Sequence, residues 1–104
     1  MCGFIGNFGC KKNHIKNQLK KIDHRGPDHT SINYNENWNV EFCRLSINDL
    51  SSAGNQPFKI DQITIFVNGE IYNSHFLKKK YFQNTKFISS SDSEIIPHMY
   101  KKFG

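Results

Sequence analysis

An α+β fold, an antiparallel sheet with helices on its faces, is the class this sequence predicts. Three observations carry it. Strand-like runs outnumber the crossovers that a parallel sheet would need, and amphipathic stretches separate or follow them. Nine Phe and four Tyr give an aromatic fraction of 13%, enough side-chain volume to fill a core although the hydrophobic fraction is only 37%. At 104 residues the chain reads as one small domain, 1–104.

The elements follow in order. "CGFIGNFGC" reads as a buried strand, apolar at Phe4, Ile5 and Phe8, with glycines where backbones approach closely. In "NHIKNQLKKIDHR" the spacing of Ile15, Leu19 and Ile22 predicts an amphipathic helix over 13–25. Arg25-Gly26-Pro27-Asp28 is turn chemistry. "NWNVEFCRLSIND" alternates as a strand does, "SSAGNQP" is a loop, and "QITIFVNGEIYN" is a β-rich run broken at Asn68-Gly69. An Asn-Gly pair between apolar runs predicts a hairpin. "SHFLKKKYF" predicts a helix with Phe76, Leu77, Lys80 and Tyr81 on one face. In "SSSDSEIIPHMYKKFG", Ser91 and Glu94 have capping-box spacing, and Ile95, Ile96, Met99 and Phe103 form the inner face. Pro97 would cost a hydrogen bond inside a helix, which argues for a start at Ser93 instead.

Composition narrows the function classes. Net charge is +5, but the basic residues fall in short runs, Lys11-Lys12, Lys20-Lys21, Lys78-Lys79-Lys80 and Lys101-Lys102. Runs of this kind are more often solvated helix faces than a binding stripe, so nucleic acid is the minor reading. No apolar run reaches the ~20 residues of a membrane span, and no leader pattern is present. Three cysteines, Cys2, Cys10 and Cys43, match no disulfide framework or zinc spacing, so reduced thiols in the cytoplasm are expected and no metal site.

Cys2 poses the chemical question. If Met1 is removed, Cys2 carries both a thiol and an α-amine whose reference pKa of about 7.7–8.0 suits it to accept the thiol's proton. One residue then supplies nucleophile and base. Taken alone, such a cysteine is more often an inert terminus. The balance changes with "HRGPD" (24–28), "RLSINDLSSAGNQP" (44–57), "NGEIYN" (68–73) and "SDSEII" (91–96), which follow "MCGFIG" in that order. Together these resemble the N-terminal glutaminase domain of asparagine synthetases, a branch of the class II glutamine amidotransferases, and the resemblance runs from Met1 to Gly104.

The resemblance implies an N-terminal-nucleophile hydrolase fold, an αββα sandwich of antiparallel sheets, of which these residues make only the first half. It implies that Cys2 attacks the side-chain amide of glutamine, with the Asn68 amide and the Gly69 N–H stabilising the oxyanion. Arg44 matches the anchor of the substrate α-carboxylate, a task suited to a two-pronged guanidinium. Glu70 and Asp92 match positions that receive the α-ammonium, and Leu45 and Ile47 would line the pocket. Each also has a plainer reading: Asn68-Gly69 a turn, Arg44 a surface ion pair, Glu70 a strand carboxylate, Asp92 a helix cap, Leu45 and Ile47 core. "HRGPD" reads as a shaped structural loop. Against the family pattern stand Phe42 and Cys43 before the "RLSI" arginine, and Pro97 in the last helix.

The function so implied is the glutaminase part of a glutamine-hydrolysing asparagine synthetase, feeding ammonia to ATP-dependent amide formation. The synthetase domain is absent from these residues, so ATP and magnesium are expected only there, with no cofactor in this domain. The partners expected are glutamine and a synthetase chain or a second copy. The alternatives are an inactive truncated remnant, whose unfinished sandwich would leave open strand edges and uncovered apolar faces, or a non-catalytic basic binding module.

Overall fold

The computed structural model describes residues 1–9 and 18–104. The chain divides into two compact units, Met1–Ser46 and Ile47–Gly104. Both are built on antiparallel pairing, and helices fall in the second, so the class is α+β.

The first unit is a three-stranded sheet, β1 (Gly3–Phe8), β2 (His29–Tyr34) and β3 (Trp38–Arg44), in the order β1-β3-β2. Its register pairs Phe4 with Phe42 and Gly3 with Cys43 on one side, and Ser31 with Phe42 on the other. β3, flanked on both sides, holds the unit's core residues Val40, Phe42 and Cys43. β1 departs from the buried strand expected, since Phe4 is 46% and Phe8 72% exposed. Gly3 is the buried member of that strand, and the Ile22 and Arg25 side chains lie over it.

The helix expected over 13–25 is corrected. Residues 13–17 lie outside the described residues, and the remainder forms two 3-10 turns, Leu19–Lys21 and Asp23–Arg25. Ile22, with φ −127° and ψ 3°, breaks the helical path between them. These turns cover the sheet face carrying Glu41 and Cys43. The Leu19 N–H donates to the Glu41 carboxylate (3.2 Å), and the Cys43 thiol donates to the Ile22 carbonyl (3.3 Å). Strand β2 was not foreseen: "HTSINY" has few apolar residues because it is an edge strand, with Ile32 and Tyr34 exposed.

The second unit contains a two-stranded ribbon, β4 (Phe58–Ile60) and β5 (Ile63–Ile65), and two helices, α1 (Ser74–Tyr81) and α2 (Ile95–Phe103). The expected hairpin at Asn68-Gly69 is displaced to Asp61-Gln62, between β4 and β5. Asp61 adopts φ 52°, a left-handed conformation that a short polar side chain tolerates better than most. After β5 the Val67 backbone pairs with the Gln56 side chain, so the chain does not turn back at Asn68.

Pro97 is accommodated because α2 begins at Ile95, which places the proline in the first turn where an N–H would lack a helical partner anyway. It is fully buried together with Ile95. The capping box at Ser91 does not form: Ser91 makes no side-chain cap, and Glu94 accepts from the Ile88 and Ser89 N–H groups (2.8 and 2.7 Å) and from the Ser89 hydroxyl. A short 3-10 turn, Asp92–Glu94, precedes the helix, so the alternative start at Ser93 does not hold either. Phe103, assigned to the inner face, is 56% exposed but packs edge-to-face on Tyr81 with ring centres 5.2 Å apart. On α1 no residue is buried, and Lys80 lies over the Phe76 and Tyr81 rings, which makes this face a solvated one. No helix among the described residues is long and apolar enough to cross a membrane.

Candidate functional site

In the first unit, Cys2 sits immediately before β1 and is partly exposed. Its sulfur is bracketed by the backbone of Leu45: the Leu45 N–H donates to Sγ at 3.4 Å, and Sγ lies 3.6 Å from the Leu45 carbonyl. The Arg25 Nε donates to the Cys2 carbonyl at 3.2 Å. The thiol and the backbone behind it are therefore held by separate segments. Leu45, expected to line the substrate pocket, meets the Cys2 sulfur through its backbone.

Arg25 is the residue that sequence reasoning undervalued. Its motif is shaped by Gly26, where an added Cβ would fall 2.5 Å from the Arg44 nitrogen and 2.6 Å from the Arg44 carbonyl carbon. That contact lets 26–28 lie against the end of β3. The Asp28 N–H donates to the Arg44 carbonyl (3.0 Å) and the Asp28 carboxylate accepts from the Ser46 N–H (2.7 Å). Gly26, Pro27 and Asp28 thus fix the backbone on either side of Leu45, and through it the surroundings of Cys2. The Arg44 side chain itself is 5% exposed.

Cys43 is a second thiol of different character. It is fully buried, donating to the carbonyls of Gly3 (3.4 Å) and Ile22 (3.3 Å), and burial pushes its pKa up, with the nearby Cys2 adding to the rise. Cys2 and Cys43 are both unbridged.

In the second unit, Asn68, Gly69 and Glu70 are exposed and belong to no strand. Hydrogen bonds anchor this stretch at both ends. Gln56 donates to the Val67 carbonyl (3.0 Å) and accepts the Val67 N–H (2.6 Å), imitating a neighbouring strand. At the other end the Ile71 N–H donates to the Asp92 carboxylate at 2.5 Å. Asn68 to Glu70 stand presented between two fixed points, and nothing lies within 4 Å of a Cβ built on Gly69.

Asp92 is therefore tied to this stretch, and its other oxygen accepts from the Asn48 side-chain amide at 3.1 Å. Asp49, one residue on, is a structural clamp. It accepts the Ser51 N–H (2.7 Å), the Ser51 hydroxyl (2.6 Å) and the Ser90 N–H (2.8 Å), and these hydrogen bonds, the Ser51 hydroxyl foremost, hold its carboxyl well below the usual carboxylate range. The clamp joins the loop after Asn48 to the residues just before Asp92. Ile47 is 67% exposed. A cavity of about 290 Å³, lined among others by Pro57, Phe58, Lys86, Ile88, Glu94 and His98, includes none of the residues expected to act on substrate. Among the described residues no group of three or more His, Cys, Asp and Glu could hold a metal ion.

The first unit thus carries a cysteine held by backbone groups, and the second an Asn-Gly stretch anchored at both ends. The chain belongs to the glutamine amidotransferase domain family, whose match covers residues 1–104. Among known proteins it is 37% identical, over its whole length, to a glutamine-hydrolysing asparagine synthetase of Arabidopsis thaliana, and 36% identical to one of Triphysaria versicolor. It is also 40% identical, over 86% of its length, to the amidase chry2 of Gibberella zeae. The chain spans 19% of the length of the two synthetases and 14% of that of the amidase.

Proposed function

We propose that this chain hydrolyses the side-chain amide of glutamine, with Cys2 as nucleophile. The observation that supports this most is the fixed position of the Cys2 sulfur, bracketed by the Leu45 backbone while Arg25 grips the Cys2 carbonyl. Once Met1 is removed, the Cys2 α-amine accepts the thiol proton and the sulfur adds to the amide carbon, forming a C–S bond and an oxyanion. The Asn68 amide and the Gly69 N–H donate to that oxyanion; loss of one such donor costs about 10²–10³ in rate. Collapse expels ammonia, which leaves with the proton held by the amine, and a γ-glutamyl thioester remains. Water then attacks the thioester, releasing glutamate and restoring the thiol. Arg44 receives the substrate carboxylate, Glu70 and Asp92 receive its ammonium, and Leu45 and Ile47 border the substrate chain.

In this reading the complete fold is the N-terminal-nucleophile sandwich, and the ammonia is consumed by ATP-dependent amide formation carried out outside these residues. ATP and magnesium act there, and a synthetase region or chain is the natural partner. The protein works in the cytoplasm, where Cys2 and Cys43 stay reduced. The test is glutamate release from glutamine by chain whose Met1 removal is established by intact mass. Cys2→Ala must abolish the release; turnover that survives the substitution sinks the proposal.

A further inference from the structure

We infer that Asn48 is a positioning residue, holding the Asp92 carboxylate in place for the ammonium group of an amino-acid substrate. The inference rests on the glutamine reading above and adds to it a residue that the motifs did not single out.

The geometry is specific. Asp92 accepts one hydrogen bond at each carboxylate oxygen, from Asn48 Nδ2 at 3.1 Å and from the Ile71 N–H at 2.5 Å. A carboxylate only accepts, so the amide must present its NH₂ to it. The terminal torsion of an aspartate is otherwise broad and poorly restrained. Donors at both oxygens, from two separate segments that precede it in sequence, fix the plane of the group. An ionised carboxylate offers about four acceptor positions, so roughly two stay open to a ligand.

Charge points the same way. Both donors are neutral, so they orient Asp92 without cancelling its charge. Asp92 takes no part in the ion pairs of His98 with Glu94 and of Lys101 with Asp61. An aspartate oriented by neutral groups and left with its full charge suits a cation. A lysine at position 48 would orient it equally well and neutralise it. Asn48 is exposed, so the hydrogen bond does not rescue a buried amide. The Asp49 clamp beside it, made to Ser51 and Ser90, holds the backbone on which Asn48 stands.

The test measures binding of L-glutamine, and of glutaramate, which is glutamine without its α-amino group, to the full chain carrying Cys2→Ala, with and without Asn48→Val. Removing one such hydrogen bond should weaken glutamine binding by about three- to tenfold. Glutaramate binding should be unchanged and the thermal midpoint should stay within about 2 °C, since a surface substitution costs little. In the chain with Cys2 intact, Asn48→Val should raise KM for glutamine by a similar factor while kcat holds. Equal losses for both ligands, an unchanged glutamine affinity, or no glutamine binding at all would each overturn the inference. Turnover that survives Cys2→Ala, alongside the expected ligand discrimination, would sink the Cys2 mechanism and leave the role of Asn48 standing.

Discussion

The Gln56 side chain lies against the Val67 backbone like an extra strand, donating to its carbonyl at 3.0 Å and accepting its N–H at 2.6 Å. Gln56 is 8% exposed, so both bonds are largely shielded from water. Gln56→Ala leaves two backbone groups unpaired at a cost of about 1–3 kcal/mol, lowering the melting midpoint by roughly 5–15 °C. Gln56→Glu keeps the acceptor and loses the donor, and should fall between the two in a thermal scan. A midpoint for Gln56→Ala equal to that of the parent would show that the pairing does not anchor this stretch.

Gly26 and Gly69 should answer oppositely to the same substitution. At Gly26 an added Cβ meets the backbone of Cys43 and Arg44, which cannot yield without moving β3, so Gly26→Ala should cost at least about 2–4 kcal/mol or prevent folding. At Gly69 the space is open and φ lies outside the left-handed region, so Gly69→Ala should leave the melting midpoint within about 2 °C. Its effect should appear in turnover, where the methyl group would meet substrate. A large stability loss at Gly69, or none at Gly26, contradicts the geometry.

The two described thiols should separate by alkylation. In a Cys10→Ser background, native chain treated with iodoacetamide should carry label on Cys2 well before Cys43, because Cys43 is fully buried and burial pushes its pKa up. Labelling in denaturant should remove the difference. Peptide mapping reads both sites, and equal native rates would refute the assignment.

Acid sensitivity should trace in part to His98. The ring packs against Phe87 and Phe82, and its burial lowers its pKa; Lys78 and Lys101 add to the lowering, while Glu94 opposes it. The unfolded chain takes this proton near pH 6.5, the folded chain only at lower pH. Between those values the unfolded state binds more protons, so folding stability falls as the pH drops below about 6.5. Asp49 acts lower: its depressed pKa contributes stability above about pH 4 that is lost on further acidification. Denaturant titrations at pH 7.5 and 5.5 should show the first loss in the parent and a smaller one in His98→Gln. Equal losses would remove His98 as the cause.

How far the fold was legible varies by element. β3 was readable because it is the central strand, and its run from Val40 to Cys43 is apolar apart from Glu41. α1 was readable from its helix-forming residues, and α2 from its apolar spacing. β2 escaped because an edge strand buries little and leaves little alternation to detect. The helix over 13–25 failed in its described part because Ile22 and Arg25 turn onto Gly3, a contact between segments distant in sequence. The turn went to Asp61-Gln62 for a similar reason: Gln56 claims the Val67 backbone, eleven residues away.

The candidate site divides in the same way. Cys2, Arg44, the Asn68 to Glu70 stretch and Asp92 could be named from ordered motifs, and those motifs agree with the family match over the whole chain. Arg25, Asn48 and Gln56 could not be assigned their tasks, since each acts through hydrogen bonds to a partner far along the chain, one for Arg25 and Asn48 and two for Gln56, and leaves no periodic trace.

Residue order alone determined the class of fold, the family and the presence of a thiol at the second position, because these depend on patterning and on short motifs. Tertiary structure decided which backbone groups hold that thiol, where the ribbon turns, and what orients Asp92. Hydrogen bonds between remote segments depend on where the chain returns in space, and no local propensity encodes that.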